Sequence, residues 1–412
     1  MAASTATMGP RPGPRLASAA RRVAGGFAVP LGSVVFAFLV GGLIVAVTGG
    51  NPFAAYQGLL CGGLGIACST TTGENPALQI STTIVFFTPL LMTGIAVALP
   101  FRAGLFNIGA EGQLLAGSVA CTIIGINFSY LPAPILLPMV LLGGTLAGAI
   151  WAGVPGVLKA TIGAHEVVTT IMLNYVAQWL VRYLIVGGPL QAPTGFSASS
   201  PIGAGARLPR FLPNDPGLIL FGLPAGVYRV HAGLLIGLAA LVIFAILLWR
   251  TSLGYEIRAV GQSPKAARYG GINVARTIIV TMLIAGAFSG LAGAIQIAGV
   301  DHNLTDKYFN DTTGFDAIAV ALLGLGSAVG ILFASILFGA LHAGGSVMQA
   351  DAGISSSLVQ ILQALILFSI AANFLRVLRL PAFGRRPSAP APTAPAAALM
   401  TEAAKAPPGE TT

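Results

Sequence analysis

Charged residues are scarce in this sequence. Lys, Arg, Asp and Glu together make up 8% of its 412 residues, whereas 55% of the residues are hydrophobic. A soluble globular chain carries roughly a quarter charged residues, so this chain has too few to cover a surface that faces water. The scarcity excludes an ordinary soluble protein. It predicts that most of the chain lies against lipid or against other membrane-buried protein.

The signatures of several catalytic sites are absent as well. No lysine is followed by Ser or Thr, so the chain lacks the phosphate-binding loop G-x-x-x-x-G-K-[ST]. The segment HEVVT begins at His165 like the zinc-protease motif H-E-x-x-H, but Thr169 stands where the second zinc ligand would be. We therefore expect no ATP hydrolysis by this route, no metal or other cofactor bound by this chain, and a structural role for His165.

Cysteine is rare, and its three positions suggest no metal site. Cys61, Cys68 and Cys121 form neither a C-x-x-C pair nor another ligand pattern. A disulfide between Cys61 and Cys68 in an outer loop is one alternative. We expect instead that these are small buried thiols.

Long apolar runs recur along the chain. A spanning helix needs about 20 apolar residues, and fewer where it is embedded among other helices. The sequence predicts an all-α integral membrane protein with about ten such helices. The eighth and ninth runs are short, and one long helix broken at 324–330 is the alternative. The runs lie near 28–49, 78–100, 104–126, 134–158, 166–186, 231–249, 276–299, 315–327, 329–346 and 354–377.

Basic residues are concentrated in three segments: the N-terminus, the loop after the sixth run, and the C-terminus. Lys and Arg accumulate on the cytoplasmic side of membrane proteins. If all three segments lie inside, the number of spans is even, which favours ten spans with both termini cytoplasmic. We expect a disordered basic tail over 1–25, a membrane domain over 26–380, and a disordered Pro/Ala-rich tail over 381–412.

The loop after the sixth run, 249–277, contains a short predicted helix, SPKAARYGG. Ser263 can cap it, Pro264 suits its first position, and two glycines stop it. We expect its two alanines to share one face and to let another backbone approach closely. A basic loop on anionic lipid is the plain alternative, and a helix that inserts into a partner protein is the more specific one.

Four segments resemble one family. GYEIRAVGQSPKAARYGGINV is similar to the cytoplasmic coupling segment of ABC-importer permeases of the sugar and nucleoside branch. FRAGLFNIGAEGQLLAGSVA, HEVVTTIMLNYVA and GFDAIAVALLGLGSAVGILFASILFGALHAGG resemble the third, the fifth, and the eighth and ninth spans of that branch. The resemblance covers about 51–371 and is closest to nucleoside-importer permeases. The turn GLGSAVG departs from the polar, Pro-containing turn usual in the family.

The resemblance implies a type II permease fold, like that of the vitamin B12 importer, in the cell membrane. It also implies a separate ATPase subunit that uses ATP, a second permease subunit that is a paralogue or a second copy, and an extracytoplasmic substrate-binding lipoprotein. No nucleic acid is implied as a partner. The expected cargo is a small polar solute, first a nucleoside, with a simple sugar or another heterocycle as alternatives. An ion-coupled secondary carrier is the competing function, although paired ionisable residues are few.

The third predicted span begins with an unusual group of polar residues. Asn107 and Glu111 are four positions apart and so share a helical face. A charged group there costs about 2.5–3.5 kcal/mol on insertion scales unless it is paired or hydrated. This face either lines the translocation path or forms a hydrogen-bond knot between helices, and we expect Arg102 at the inner edge to reach water or lipid phosphate. The path candidates are Asn107, Glu111, Gln113, Asn174, Tyr175, Gln178 and Gln296; the candidates for ATPase coupling are Gly261, Pro264, Lys265, Ala266, Ala267, Arg268 and Gly271.

Overall fold

A computed structural model describes residues 15–68, 75–193, 195–212, 219–220, 223–224, 227–309 and 312–371. The described chain is helical apart from a pair of two-residue antiparallel strands, β1 (Ile219–Leu220) and β2 (Leu223–Pro224). The helices are α1 (Arg15–Val47), α2 (Pro52–Leu64), α3 (Pro76–Arg102), α4 (Ala110–Asn127), α5 (Ala133–Ile162), α6 (Glu166–Ile185), α7 (Gly233–Arg250), α8 (Ser252–Gln262), α9 (Pro264–Tyr269), α10 (Val274–Gln296), α11 (Thr313–Leu323), α12 (Ala328–Ala352) and α13 (Ser357–Ala371).

Each of the apolar runs found in the sequence overlaps a helix within the described residues. Among the described residues, six helices are long and apolar enough to cross a membrane, namely α1, α3, α5, α7, α10 with its extension to Asp301, and α12. The helices α11 and α13 are shorter and also apolar. A turn over 324–327 separates α11 from α12. The prediction of a helical, multi-pass membrane protein is therefore confirmed.

The N-terminal helix starts earlier than the sequence analysis expects. It begins at Arg15, inside the segment assigned to a disordered tail. The stretch that follows is rich in Ala and Arg, which are strong helix formers, so α1 extends through it. Residues 1–14 and the predicted C-terminal tail lie outside the described residues.

Asparagine caps start two of the first three helices. Asn51 and Asn75 each precede a Pro at the first helical position. Their side-chain oxygens accept hydrogen bonds from first-turn N–H groups, at 2.9 Å from Phe53 and 3.0 Å from Ala77. These bonds satisfy donors that a helix cannot satisfy internally.

Two of the three cysteines are joined, contrary to the expectation of buried thiols. Cys61 near the end of α2 and Cys68 just beyond it form a disulfide, and their Cα atoms are 4.7 Å apart. Gly65 ends α2 with a φ of 68° and turns the chain back toward the helix, so the two side chains meet. Cys121 is a buried free thiol.

The helices α4, α5 and α10 pack with little space between their backbones. Gly117, Gly148 and Gly290 lie at their crossing, and a Cβ added at Gly290 would be 2.7 Å from the Cα of Gly148. Small residues at such crossings let helices approach closely and gain van der Waals contact, which drives association inside a membrane. These three helices therefore form one closely packed unit, which holds α4 and its polar residues in place.

We expect Gly290→Ala to destabilise the protein, because the new methyl group would meet backbone atoms that cannot move aside. Overpacking of this kind costs about 1–3 kcal/mol. Gly237→Ala in α7 is the matched control, since the nearest atom to its new Cβ would be at 3.6 Å, an ordinary contact. Thermal unfolding of the purified proteins in detergent measures the difference. Equal melting temperatures for the two variants would contradict the close-packing argument.

Candidate functional site

The polar residues of the third predicted span lie inside the protein. Asn107 is in the irregular segment between α3 and α4, and its side chain pairs with that of Gln113 through two hydrogen bonds of 3.0 and 3.2 Å. Asn107 also donates to the carbonyl of Ala96 at 3.2 Å and accepts from the N–H of Gly109 at 3.1 Å. Both side chains are buried. The pair fastens the start of α4 to the middle of α3.

Glu111 and Asn174 connect α4 to two further helices. Glu111 is 0% exposed, and its carboxylate accepts a hydrogen bond of 2.6 Å from the N–H of Gly314 in the first turn of α11. Asn174 of α6 accepts from the N–H of Gly112 and donates to the carbonyl of Ile108, both at 2.8 Å. Four of the path candidates are thus buried together around the start of α4, and we call this group the α4 knot: Asn107, Glu111, Gln113 and Asn174.

Tyr175 and Gln178 are not part of the α4 knot. The buried face of α6 carries Thr170, Asn174 and Ala177. Tyr175 follows Asn174 by one residue, which turns it about 100° around the helix, and it is 55% exposed. Gln178 is half-buried. The structure brings neither side chain to the cavity described next.

Gln296 lines a cavity of about 710 Å³ between α3, the end of α10 and α12. Its amide donates to the carboxylate of Asp301 at 3.0 Å, and Asp301 also forms an ion pair with Lys307. Asp301 ends a π-helical segment, Ile297–Asp301, that continues α10. Other side chains that line this main cavity are Gln79, Ser81, Thr82, Phe86, Arg229 and Ser346.

Two histidines lie beside the π-helical segment. His231 is buried, and its Nδ1 accepts a hydrogen bond of 3.1 Å from the N–H of Gly233 at the start of α7. Burial, with smaller contributions from the nearby Arg210 and His302, lowers the pKa of His231 to about 4. Since an accepting Nδ1 requires the neutral ring, the hydrogen bond and the lowered pKa agree. Burial also lowers the pKa of His302, with Arg207 and Arg210 acting in the same direction.

The sequence analysis missed an acid–histidine pair on the two short spans. Nε2 of His342 in α12 is 2.8 Å from a carboxylate oxygen of Asp316 in α11. The ring of Phe86 in α3 stacks on His342, with ring centroids 5.5 Å apart and planes 18° apart. An ionisable residue inside an apolar run is a signal of function in membranes. Asp316 and His342 both offered that signal, but they are far apart in sequence.

The predicted loop helix exists as α9. Ser263 caps it by accepting from the N–H of Ala266 at 3.3 Å, Pro264 is its first residue, and Gly271 follows its end with a φ of 82°. The two alanines, however, do not share a face. Ala267 is 5% exposed and packs against the protein, whereas Ala266 is exposed, because neighbouring residues point about 100° apart on a helix.

The exposed side of α9 carries charge and one large ring. Lys265 and Arg268 are exposed beside Ala266, and Tyr269 is 94% exposed. Gly261, in the preceding helix α8, lies against the backbone carbonyl of Arg102. The structure therefore connects this loop directly to the end of α3.

Arg102 does not reach outward as expected. Its guanidinium donates hydrogen bonds to the carbonyls of Leu325 at 3.1 Å and Gly326 at 2.9 and 3.2 Å. Those carbonyls belong to the turn between α11 and α12, where helix ends leave acceptors without internal partners. The cation thus holds the GLGSAVG turn against α3.

No group of side chains that could hold a metal ion occurs among the described residues. His165 takes the N-cap position of α6, but its side chain makes no cap hydrogen bond. The turn before α6 is fastened instead by an ion pair of 2.8 Å between Lys159 and Glu166.

Comparison with known proteins places this helical arrangement in a family. The pattern of the family described as "branched-chain amino acid transport system / permease component" matches residues 79–371. The chain belongs to this family of permeases.

Individual relatives cover most of the chain. The permease is 38% identical over 87% of its length to the glucose ABC transporter permease protein TsgB13 of Haloferax volcanii, of which 91% is covered. It is 37% identical over 84% of its length to the guanosine ABC transporter permease protein NupP of Bacillus subtilis, and 36% identical over 86% to the nucleoside ABC transporter permease protein NupB of Lactococcus lactis, each covered over 93%. No solved structure matches the chain.

The family assignment establishes the role of the chain. It is the membrane permease subunit of an ABC transporter, it works with an ATPase and a substrate-binding protein, and it performs no catalysis itself. The resemblance found in the four sequence segments is confirmed.

We expect Glu111, a member of the α4 knot, to contribute to the thermal stability of the permease. Glu111→Ala would leave the buried N–H of Gly314 without its acceptor, at a cost of about 1–3 kcal/mol. Glu111→Gln keeps an acceptor but removes the negative charge that favours a helix N-terminus, so its loss should be smaller. Melting temperatures in detergent should therefore fall in the order wild type, Glu111→Gln, Glu111→Ala.

Asp351→Asn is the matched control for this series, because Asp351 is exposed and its neutralisation should leave the melting temperature unchanged. If Glu111→Ala has the same melting temperature as the wild type, the hydrogen bond from Gly314 to Glu111 does not stabilise the protein. The role of Glu111 must then be sought in transport.

Proposed function

We propose that this permease imports a nucleoside. The observation that carries the proposal is the main cavity, about 710 Å³ in volume, whose lining combines the ring of Phe86 with the amides of Gln79 and Gln296. A nucleoside offers a flat ring for stacking and several donors and acceptors for such groups. Two of the three relatives described above carry nucleoside or guanosine in their names. The glucose permease at 38% identity makes a simple sugar the second candidate.

For the architecture we propose ten spans in a type II permease fold, with both termini cytoplasmic. Among the described residues every predicted run overlaps a helix, and a turn separates α11 from α12, which supports the even count. The basic ends and the basic loop after α7 support the orientation.

Within the membrane we propose that Gln296 faces the solute, whereas the α4 knot fixes helices around the path. Gln296 lines the main cavity. The four side chains of the knot are buried, and their hydrogen bonds join α3, α4, α6 and α11. This division favours a structural role for those four over contact with the solute.

At the cytoplasmic surface we propose that α9 is the contact with the ATPase, with Lys265, Ala266 and Arg268 at the interface and Gly261 carrying movement to α3. The capped, exposed helix with its basic side chains supports this proposal. Pro264 and Gly271 set its limits, and Ala267 anchors it to the permease. ATP is used by the ATPase alone, a lipoprotein delivers solute from outside, and a second permease subunit, a paralogue or a second copy, completes the path.

Uptake of labelled solutes tests the cargo. Cells that carry the whole importer should accumulate labelled guanosine or another nucleoside, and cells lacking only this permease should not. Labelled glucose in the same cells is the matched control and should enter equally in both. If glucose uptake depends on the permease and uptake of every nucleoside does not, the cargo is a sugar and the nucleoside proposal is wrong.

Substitution at Ala266 tests the ATPase contact. Ala266→Arg and Ala266→Asp place a large or charged group on the exposed side of α9, so we expect co-purification of the ATPase and solute uptake to fall at least tenfold. Ala266→Ser is the matched control, since it keeps the small size, and all three should reach the membrane normally. If the ATPase still co-purifies fully with Ala266→Arg and Ala266→Asp, α9 is not the contact with the ATPase. The loop over 159–165 is then the next candidate.

A further inference from the structure

We propose that the polar route of this permease continues from the main cavity past His342 to Asp316 and Gln363, which form its inner binding station. The inference rests on the proposed function in that it requires a polar solute. It assigns a role to residues of α11, α12 and α13 that are not among the path candidates of the sequence analysis.

Three cavities adjoin one another along this route. The main cavity, about 710 Å³, is lined by Phe86 and Ser346. A second cavity of about 290 Å³ is lined by Ser346, His342 and Gln360. A third, of about 270 Å³, is lined by Gln360, Asp316 and Gln363. Ser346 lines the first two cavities and Gln360 lines the last two, so the three cavities are neighbours in series.

The acid–histidine pair lies between these cavities. His342 faces the second cavity, its partner Asp316 faces the third, and Phe86, stacked on His342, faces the main one. A hydrogen-bonded pair with a carboxylate and an imidazole can both accept and donate, and an aromatic ring beside it offers a stacking surface. The three side chains therefore present a solute with two kinds of contact at one place.

Gln363 supplies an unused donor at the end of the series. Its side chain is 4% exposed, and its amide nitrogen has no hydrogen-bond partner among the described residues. Leaving a buried donor unsatisfied costs about 1–3 kcal/mol. The amide lines the third cavity beside Thr312 and Asp316, so a group that enters this cavity can satisfy it.

The station lies deep in the membrane domain. At 1.5 Å per residue, His342 is about 21 Å from the first residue of α12 and about 15 Å from the last. Polar side chains at such depth face protein or a water-filled cavity, not lipid. Gln360 is exposed on α13, so the polar surface it shares with Gln363 needs water, solute or another subunit against it.

The chemistry suits an uncharged solute that has a flat ring and both donors and acceptors. The ring of His342 is already paired with Asp316, so its Nε2 is not available to bind a phosphate group. It offers donors and acceptors at Gln360 and Gln363 and a ring face at Phe86, which a nucleoside can use together.

Cysteine accessibility tests the route without knowledge of the cargo. In a Cys121→Ala background, which removes the described free thiol, single cysteines are placed at Gln360 and Gln363. Cells that express the complete importer are treated from outside with a small, membrane-impermeant methanethiosulfonate. We expect both cysteines to react at least tenfold faster than Leu146→Cys, because thiols react as thiolates in water and are inert in apolar surroundings.

Leu146 is the matched control, since it is mid-way along α5 and exposed only on an apolar surface. Phe196→Cys, in the exposed segment before α7, serves as the reactive reference. Reaction at Gln360→Cys no faster than at Leu146→Cys would overturn the route, whatever happens at the more buried Gln363. Slowing of the reaction by excess nucleoside supports the binding station. Fast reaction that no nucleoside, but only glucose, slows would keep the route and reject the nucleoside.

Discussion

A backbone N–H or C=O inside a membrane has no water to bind, and this constraint explains the polar residues of the permease. The chain leaves helical form between α3 and α4, and again between the π-helical segment and α11. At the first break Asn107 and Asn174 bind backbone N–H groups that have no partner within a helix. At the second break Glu111 binds an N–H group in the first turn of α11. Residues that are costly in lipid are retained because they satisfy groups whose exposure would cost more.

The same constraint acts at the turn between α11 and α12. Leu325 and Gly326 have positive φ angles of 52° and 58°, and Arg102 binds their carbonyls. The backbone next to Arg102 lies against Gly261 of α8, which leads directly into α9. The helix α9 is therefore connected to the helices that carry Asp316 and His342 by a short series of contacts: α8, the backbone of Arg102, and the hydrogen bonds of the Arg102 side chain.

Much of the fold could be predicted from the sequence, because apolar runs and caps are local signals. The positions of the spans, the cap at Ser263 and the helix end before Gly271 follow from neighbouring residues. The partners of Arg102 and Glu111 could not be predicted in this way, since each lies more than 200 positions away in sequence. The pair of Asp316 and His342 was missed because the two residues lie on different helices whose packing the sequence does not reveal. The disulfide was missed because Gly65 turns the chain in a way that spacing alone does not reveal.

Two kinds of polar side chain in the membrane can now be distinguished by their surroundings. Those of the α4 knot are buried, and their bonds run to backbone groups or to each other, so a passing solute would have to break them. Gln296, His342 and Gln360 instead border cavities. The amide nitrogen of Gln363 has no hydrogen-bond partner among the described residues. Transport requires groups that can exchange partners as the solute moves, since binding that is too complete would hold it in place. That criterion supports the proposed path along α12 and α13, and it supports a structural role beside that path for Glu111, the charged residue that first draws attention in the sequence.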